Sequence, residues 1–176
     1  LRTVLDSDCE LNILTAKDEK GLAVLRHTAS HVLAQAVQNL YPEAKVAIGP
    51  SIDTGFYYDF DHEPFSREDL DTIEKEMKKI IKKGAKIERF TKSREDAIAY
   101  FKEKNEPYKV ELIEDLPEDA EISFYSQGDW TDLCAGPHLM SVKPVKAFKL
   151  LSSSSAYWRG SEKNAMLTRI YGTAYA

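Results

Sequence analysis

The sequence predicts an α+β fold of two layers, in which an antiparallel-sheet core carries a long helix packed on it. Three observations support this fold class. A helical hydrophobic period runs through residues 21–40, short strand-like segments recur after residue 45, and turns containing glycine or proline separate them. Helices that alternate with short strands joined by tight turns are typical of a mainly antiparallel sheet.

The chain begins with a short strand-like segment and a long helix. Residues 9–15 alternate like a strand, and no partner strand precedes them, so they could be the end of a preceding module. When each residue advances by about 100°, the apolar side chains of residues 21–40 form one stripe about 100° wide. His27 and His31 lie together on the face opposite that stripe.

The remaining elements follow from local signals. Ser66 is predicted to cap a helix with Asp69 in its first turn, and Gly84 to end it. Ser93 opens another helix, and residues 108–115 are compatible with either a strand or a short helix. Strands are predicted within residues 45–60 (two, broken at Gly49–Pro50 and Gly55), 85–90, 121–134 (two, around Gln127–Gly128), 147–158 and 166–176.

The composition is that of a globular chain. Its 176 residues, of which 43% are hydrophobic and 30% charged, suffice to bury a core. No apolar run approaches the roughly 18 residues that cross a membrane, and the first residues lack a signal-peptide pattern. Cys9 and Cys134 make no disulfide framework, so we expect a reducing, cytoplasmic setting, and the lack of a membrane-spanning run predicts no membrane partner.

The charge is unevenly distributed along the chain. A net charge of −5 argues against a dedicated nucleic-acid-binding protein. Residues 143–176, however, contain six basic residues and one glutamate and carry +5, which leaves −10 for residues 1–142. A cationic end of this kind could contact a phosphate backbone, or it could be an ordinary solvated face.

Three of the four histidines and one cysteine fall in two motifs with the same spacing. His27-x3-His31 lies on one helical face, with Cβ atoms about 5–6 Å apart. Cys134-x3-His138 spans a Gly136–Pro137 turn that can direct a thiol and an imidazole towards one point. Such residues are acceptable zinc ligands. Each half alone is more often surface polarity or a buried small cysteine, so the pairing of both halves supports a site.

Polar residues accompany these motifs. Asp132 lies two residues before Cys134, so in a strand the two share a face, and the carboxylate could orient a histidine or accept a substrate hydroxyl. Lys109 could neutralise developing negative charge or be a solvated lysine. Tyr57 and Tyr58 alternate faces, so one can line a cavity while the other packs in the core.

Several segments together resemble the N-terminal editing domain, the second additional domain, of threonyl-tRNA synthetases. They are RHTASHVLAQAV, AIGPSIDTGFYYDFD, YKVELI, DLCAGPH and AYWRGSEKNAMLTRIYGTAYA. The His-x3-His and Cys-x3-His set is shared more widely with the alanyl-tRNA synthetase editing domain. The resemblance implies an additional-domain-like α+β fold in residues 16–176, and a C-terminal remnant of a ubiquitin-like module in residues 1–15.

The resemblance implies hydrolytic proofreading, in which serine wrongly esterified to threonine tRNA is removed. A threonine-activating site rejects serine poorly, because one missing methyl group is worth only about 1–3 kcal/mol. A second pocket that admits serine and excludes the methyl group completes the discrimination. The implied partners are the seryl-tRNA acceptor end and the catalytic and anticodon domains of a homodimeric full-length enzyme, whose ligase site lies outside this chain.

The resemblance also implies roles for individual residues. Lys109 and His27 would position and deprotonate the attacking water and stabilise the oxyanion, and Asp132 would hold the seryl amine or hydroxyl. The implied catalytic set is His27, His31, Lys109, Cys134 and His138, and the implied substrate-binding set is Gly49, Tyr58 and Asp132. His27, His31, Cys134 and His138 match a zinc site in the alanyl relatives, whereas the threonyl branch resembles them in ligands yet works with the side chains directly, so zinc stays open.

Two positions depart from the family pattern. Ala135 stands where arginine is usual, and Ser154 replaces a glycine before AYW; both concern substrate affinity. Three other functions stay open: a non-catalytic module that binds the tRNA acceptor end, a zinc-stapled structural domain, and a generic zinc hydrolase acting on small esters.

Overall fold

The computed structural model describes residues 4–15 and 17–176, and within them it confirms the α+β fold class. In chain order the elements are α1 (Glu19–Leu40), β1 (Lys45–Val46), β2 (Ser51–Ile52), β3 (Gly55–Asp61), α2 (Arg67–Lys83), β4 (Ile87–Thr91), α3 (Arg94–Glu103), α4 (Pro107–Glu114), β5 (Ser123–Gln127), β6 (Trp130–Leu133), β7 (Ala147–Tyr157) and β8 (Met166–Tyr175), with a 3-10 turn at Trp158–Gly160. None of these helices is long and apolar enough to cross a membrane.

The strands pair in antiparallel fashion and are divided between two sheets. The larger has the order β1-β3-β8-β7, with β2 added on β3, and the smaller has the order β4-β5-β6. In the larger sheet Tyr58 lies opposite Ile170, and Asp59 lies opposite Arg169. In the smaller sheet the two-residue loop between Gln127 and Trp130 sets the hairpin register.

Helix α1 lies between the two sheets. Leu25 and Leu33 of its apolar stripe are completely buried in the main core against β3, β8 and α2, whereas Leu40 at the end of the helix is 37% exposed. On the other side Gln35 Oε1 accepts a hydrogen bond of 2.8 Å from Gln127 Nε2 of the smaller sheet. The histidine face predicted to lie opposite the stripe is therefore covered by protein, and His31 is only 3% exposed.

Helix α2 has the predicted ends. Ser66 Oγ accepts a hydrogen bond from the Asp69 backbone N–H at 3.1 Å, and Asp69 Oδ2 accepts one from the Ser66 N–H at 2.9 Å. Gly84 ends the helix in the left-handed region, with a φ of 66°. Both features depend on residues three or fewer positions away, so the sequence alone reveals them.

Residues 108–115, compatible with a strand or a helix in sequence, fold mainly as helix α4. Pro107 occupies its first turn, where a missing N–H costs nothing. The Tyr108 ring packs on Trp158 at 5.1 Å between centroids, and the Tyr108 hydroxyl donates to Asp61 Oδ2 at 2.7 Å. These long-range contacts fix α4 over the end of the larger sheet and place Lys109 towards the interior.

The strand predicted at residues 9–15 is wrong: residues 4–15 contain neither helix nor strand. The physical reason is that no strand of residues 17–176 pairs with this segment, and the alternating side chains of Leu11 and Ile13 therefore remain 67% and 79% exposed. Residues 1–3 and 16 lie outside the described part of the chain.

Candidate functional site

The predicted site residues come together from separate parts of the chain. Helix α1 supplies two imidazoles, α4 supplies a lysine, β3 supplies a tyrosine, and β6 with the loop after it supplies a carboxylate, a thiol and a third imidazole. The residues so gathered are His27, His31, Lys109, Tyr58, Asp132, Cys134 and His138. Gly49 packs against one of them from the loop before β2.

The histidines and the cysteine form one compact cluster. One ligand atom from each of His27, His31, Cys134 and His138 lies within 4.8 Å of the others. Cys134 Sγ is 3.4 Å from His27 Nε2 and 3.2 Å from His138 Nε2. The His138 ring centroid is 4.1 Å from those of both His27 and His31. The two spaced motifs of the sequence therefore meet at one point.

Hydrogen bonds at the far side of two rings orient them towards Cys134. His27 Nδ1 lies 3.3 Å from the Pro137 carbonyl oxygen, which can only accept, so Nδ1 carries the proton and the unprotonated Nε2 is an acceptor. His138 Nδ1 lies 3.1 Å from Thr28 Oγ1. Both Nε2 atoms consequently face the thiol, as second ring nitrogens do in metal and catalytic sites.

The turn that carries His138 needs a glycine. Gly136 has a φ of 76°, and a Cβ on it would lie 2.1 Å from the Tyr125 hydroxyl oxygen. The Tyr125 ring in turn contacts His138 edge-on, at 4.6 Å between centroids. Sequence reasoning missed Tyr125 and Thr28. The two-residue loop of the β5–β6 hairpin could have identified Tyr125, because its register places this residue opposite Asp132.

A buried polar network adjoins the cluster. Lys109 Nζ lies 2.6 Å from Asp132 Oδ1 and donates a hydrogen bond of 3.1 Å to the Tyr58 hydroxyl. The Tyr58 hydroxyl donates to Asp132 Oδ2 at 2.7 Å, and His31 Nε2 lies 3.3 Å from the same oxygen. Lys109 and Asp132 are each 2% exposed. The interpretation of Lys109 as a solvated side chain is therefore wrong, and His31 joins the network to the cluster.

Tyr57 and Tyr58 point to opposite faces of β3, as the alternation predicts. Tyr58 is fully buried and belongs to the site, whereas Tyr57 lies on the other face beneath the Arg169 guanidinium, 3.9 Å from its ring centroid. A Cβ at Gly49 would be 2.0 Å from Tyr58 Cδ2, so only glycine permits this packing. The Gly49 carbonyl also accepts a hydrogen bond of 2.7 Å from Ser30 Oγ on α1.

Burial sets the protonation of the cluster. It lowers the pKa of His27 and lowers the pKa values of His31 and His138 well below the usual range, with the neighbouring imidazoles adding to the effect on His31 and His138. Burial also raises the pKa of the Cys134 thiol to about 11 and the pKa of the Tyr58 phenol well above its usual range. Near neutral pH the protein therefore presents neutral imidazoles, a protonated thiol and a protonated phenol.

The donor set fits a zinc ion. Imidazole nitrogens and a cysteine sulfur are ligands that bind zinc in proteins, and four of them suffice for tetrahedral coordination. The Sγ–Nε2 separations of 3.2 and 3.4 Å are close to the edge of about 3.5 Å expected for a tetrahedral zinc with its usual bond lengths. The Asp132 carboxylate beside His31 resembles the carboxylates that support metal-bound imidazoles.

The two departures from the family pattern lie at different distances from the cluster. Ala135 is exposed in the turn between Cys134 and His138. Ser154 lies on β7 opposite Arg169 of β8, and its side chain is on the sheet face that points away from α1. The side chain of Ser154 is therefore separated from the His/Cys cluster by the larger sheet.

Proteins with similar sequences are found among the threonyl and alanyl tRNA synthetases. A family described as the threonyl and alanyl tRNA synthetase second additional domain matches residues 122–171. The threonine–tRNA ligase of Acetivibrio thermocellus is 66% identical over 172 residues, which are 97% of this chain and 27% of that protein. The chain resembles the second additional domain of threonyl-tRNA synthetases. The resemblance inferred from the sequence motifs is thus confirmed.

Other relatives give the same result. The threonine–tRNA ligase of Clostridium novyi is 64% identical over 176 residues, covering 99% of this chain and 28% of its own length. That of Caldanaerobacter subterraneus is 60% identical, covering 99% and 27%. The family match includes Cys134 and His138, and these longer alignments also include the histidines of α1. The chain spans little more than a quarter of the length of the curated relatives it matches.

Proposed function

We propose that this chain is the editing domain of a threonine–tRNA ligase and hydrolyses the ester that joins serine to the end of threonine tRNA. One observation carries the proposal. A buried Lys109–Asp132–Tyr58 network touches, through His31, a cluster of neutral imidazoles and a thiol. A fixed cation that stabilises an oxyanion and a nearby acceptor for the proton of water together accelerate ester hydrolysis.

His27 is the proposed general base. Its Nδ1 is held by the Pro137 carbonyl, so its Nε2 lone pair points into the cluster and can accept a proton from water. His31 is less suited, because its Nε2 faces Asp132 and it is almost fully buried. His138 and Cys134 contact His27 and are proposed to hold the ester and the terminal adenosine beside it.

Lys109 is the proposed stabiliser of the oxyanion. Its ammonium group uses Asp132 and Tyr58 as partners and has a third N–H for the ester oxygen as negative charge develops. A charge fixed in a water-poor site acts strongly, because little reorganisation is needed during the reaction. Asp132 keeps Lys109 in place and has spare acceptor capacity for the seryl amine or hydroxyl.

Close packing supports the proposed discrimination against threonine. Gly49 lies against the Tyr58 ring and Gly136 against the Tyr125 hydroxyl, each too close for one added carbon atom. Walls fixed by such contacts resist the movement that an additional substrate methyl group would demand. Serine would therefore be hydrolysed and threonine spared.

The cluster of His27, His31, Cys134 and His138 would also hold zinc, which supplies a Lewis acid and a more acidic bound water. Measurement of metal content after purification without added zinc, with activity before and after chelation, tests this possibility. If chelation leaves hydrolysis unchanged, the side chains act directly. Loss on chelation and recovery with zinc would show that the metal is needed.

The decisive experiment compares deacylation of seryl- and threonyl-tRNA by the chain. We expect the seryl ester to be hydrolysed much faster. His27→Ala and Lys109→Ala should each lower the rate by about 100-fold or more. His62→Ala is the matched control, because this histidine lies outside the cluster, stacked on Phe65. Equal rates for both esters, no hydrolysis, or full activity of both variants would contradict the proposal.

The remaining parts of the proposal rest on the resemblance to threonine–tRNA ligases, which are much longer than this chain. The acceptor end of threonine tRNA, and the catalytic and anticodon domains of a homodimeric cytoplasmic enzyme, would be the partners. Residues 16–176 would be the editing domain, and residues 1–15 the end of a ubiquitin-like module. A non-catalytic binding module would instead bind tRNA without accelerating hydrolysis, and a zinc-stapled domain would unfold on His31→Ala.

A further inference from the structure

We propose that a group of exposed lysines near the site binds the phosphate backbone of the RNA whose end enters it; this inference rests on the proposed function. We call this group the lysine surface. It comprises residues at the end of α2 and in the following turn, together with two from the loop after His138: Lys78, Lys79, Lys82, Lys83, Lys86, Lys143 and Lys146.

The structure divides the cationic end that the sequence suggested as an RNA contact. Arg169 forms an ion pair with Asp59 at 2.8 Å, and Lys149 lies 3.3 Å from Glu74. Arg159 is paired with Asp115. Half of the basic residues after position 142 thus already have carboxylate partners, whereas Lys143 and Lys146 join the lysines of α2.

The lysine surface is free to meet an external anion. All seven side chains are exposed, and within residues 4–15 and 17–176 none forms an ion pair with a carboxylate. Together they carry +7 in a chain of net charge −5, which leaves −12 for all other residues. So strong a local excess on an acidic protein favours association with a polyanion.

The lysines of α2 share one side of the helix. At about 100° per residue, Lys78, Lys79, Lys82 and Lys83 occupy an arc of about 140°. The buried residues Ile73, Met77 and Ile80 lie on the opposite side and fix the helix against the core. Gly84 allows the Lys143 side chain to pack across the end of α2, because a Cβ there would lie 2.6 Å from Lys143 Cε.

The lysine surface begins close to the proposed site. Lys86 forms a β-bridge with Ser141, and the Ile87 N–H donates to the Met140 carbonyl at 2.8 Å. Ser141 is three residues from His138, so their Cα atoms are at most about 11 Å apart. An RNA whose terminal ester lies at His138 would bring its preceding phosphates within reach of these lysines.

A cleft gives the lysine surface a shape suited to a sugar–phosphate chain. It has a volume of about 640 Å³ and is lined by Lys79, Lys82 and Lys83 together with the amides of Gln35 and Asn39. Lysines and amide side chains are the groups that usually contact phosphates and sugars. The cleft is also lined by Glu76 and Asp129, so its net positive charge depends on the three lysines.

The test measures how an RNA hairpin with a single-stranded CCA end binds to the chain over a range of salt concentrations. The hairpin carries no esterified amino acid. The variant is Lys79→Gln/Lys82→Gln/Lys83→Gln in the 176-residue chain. Its matched control is Lys17→Gln/Lys102→Gln/Lys163→Gln, which removes the same charge from exposed lysines elsewhere. We expect the variant to bind at least tenfold more weakly at low salt, with the salt slope of log K reduced by about 2–3. The control should bind like the unmodified chain.

Other outcomes separate this inference from the proposed function. Equal weakening in variant and control, or an unchanged salt slope in the variant, would overturn the lysine surface even if the chain hydrolyses seryl-tRNA. Binding to anionic phospholipid vesicles but not to the hairpin would also overturn it. Hydrolysis of a short seryl-adenosine ester should be unaffected by the triple variant. If the unmodified chain does not hydrolyse the short ester, the proposed function is contradicted. The hairpin-binding experiment would still test the lysine surface independently.

Discussion

Removal of the buried ammonium group by Lys109→Met should strongly destabilise the protein. Lys109 and Asp132 are each 2% exposed, so water cannot replace the lost partner. Asp132 would keep the Tyr58 hydroxyl at 2.7 Å but lose the cation 2.6 Å from its other oxygen. Breaking a buried pair in this way typically costs about 3–5 kcal/mol. That cost is a large share of the roughly 5–15 kcal/mol by which a domain is stable.

The assay is urea unfolding at pH 7, followed by circular dichroism, on Lys109→Met, Asp132→Asn and the double variant. We expect the double variant to be more stable than Lys109→Met, because no uncompensated charge remains, yet to be inactive in seryl-tRNA hydrolysis. Lys102→Met, at an exposed position, is the control and should change stability by less than about 0.5 kcal/mol. A cost below about 1 kcal/mol for Lys109→Met, or strict additivity in the double variant, would refute the reasoning.

Three further predictions concern other parts of the chain. Gly49→Ala should displace the Tyr58 ring, because the new carbon would lie 2.0 Å from it. We expect the free energy of unfolding to fall by about 1–3 kcal/mol and the seryl ester to be hydrolysed more slowly. Unchanged unfolding and kinetics would count against this prediction. Hydrogen bonds from Ser66 lower the pKa of Asp69 in the folded protein. The ionised carboxylate therefore contributes stability above the unfolded-state pKa, and this contribution is lost as the pH falls through the lower folded-state pKa. In urea unfolding, Asp69→Asn should destabilise the protein at pH 7 but hardly at pH 2. Burial raises the pKa of the Cys134 thiol to about 11, so at pH 7.5 iodoacetamide should label the exposed Cys9 first, and mass spectrometry showing Cys134 labelled first would disprove this.

The elements that could be predicted from sequence depend on near neighbours. The Ser66 cap, the Gly84 end of α2 and the hairpin loop after Gln127 each need only residues within a few positions. The pairing of His27 with His31 follows likewise from helical spacing. The meeting of this pair with Cys134 was inferred from matched motifs, and the structure places the atoms within reach.

One wrong prediction and one choice left open both concern segments whose structure depends on distant contacts. Residues 9–15 have strand-like alternation but pair with no strand among the described residues, so they form no regular structure and stay exposed. Residues 108–115 become helical over most of their length because Tyr108 and Lys109 find partners on β3 and β6. Local propensity in a segment of eight residues is too weak to settle such a choice.

By itself, the sequence determined the fold class, most element ends, the histidine and cysteine motifs and the family they resemble, since each depends on local geometry or on matched residues. Only the tertiary structure decided that two sheets enclose α1 and bury His31, and that Lys109 meets Asp132. It also decided which cations are paired internally and which form the lysine surface. These outcomes depend on burial and charge pairing between residues far apart in the chain, and neither quantity can be read from spacing alone.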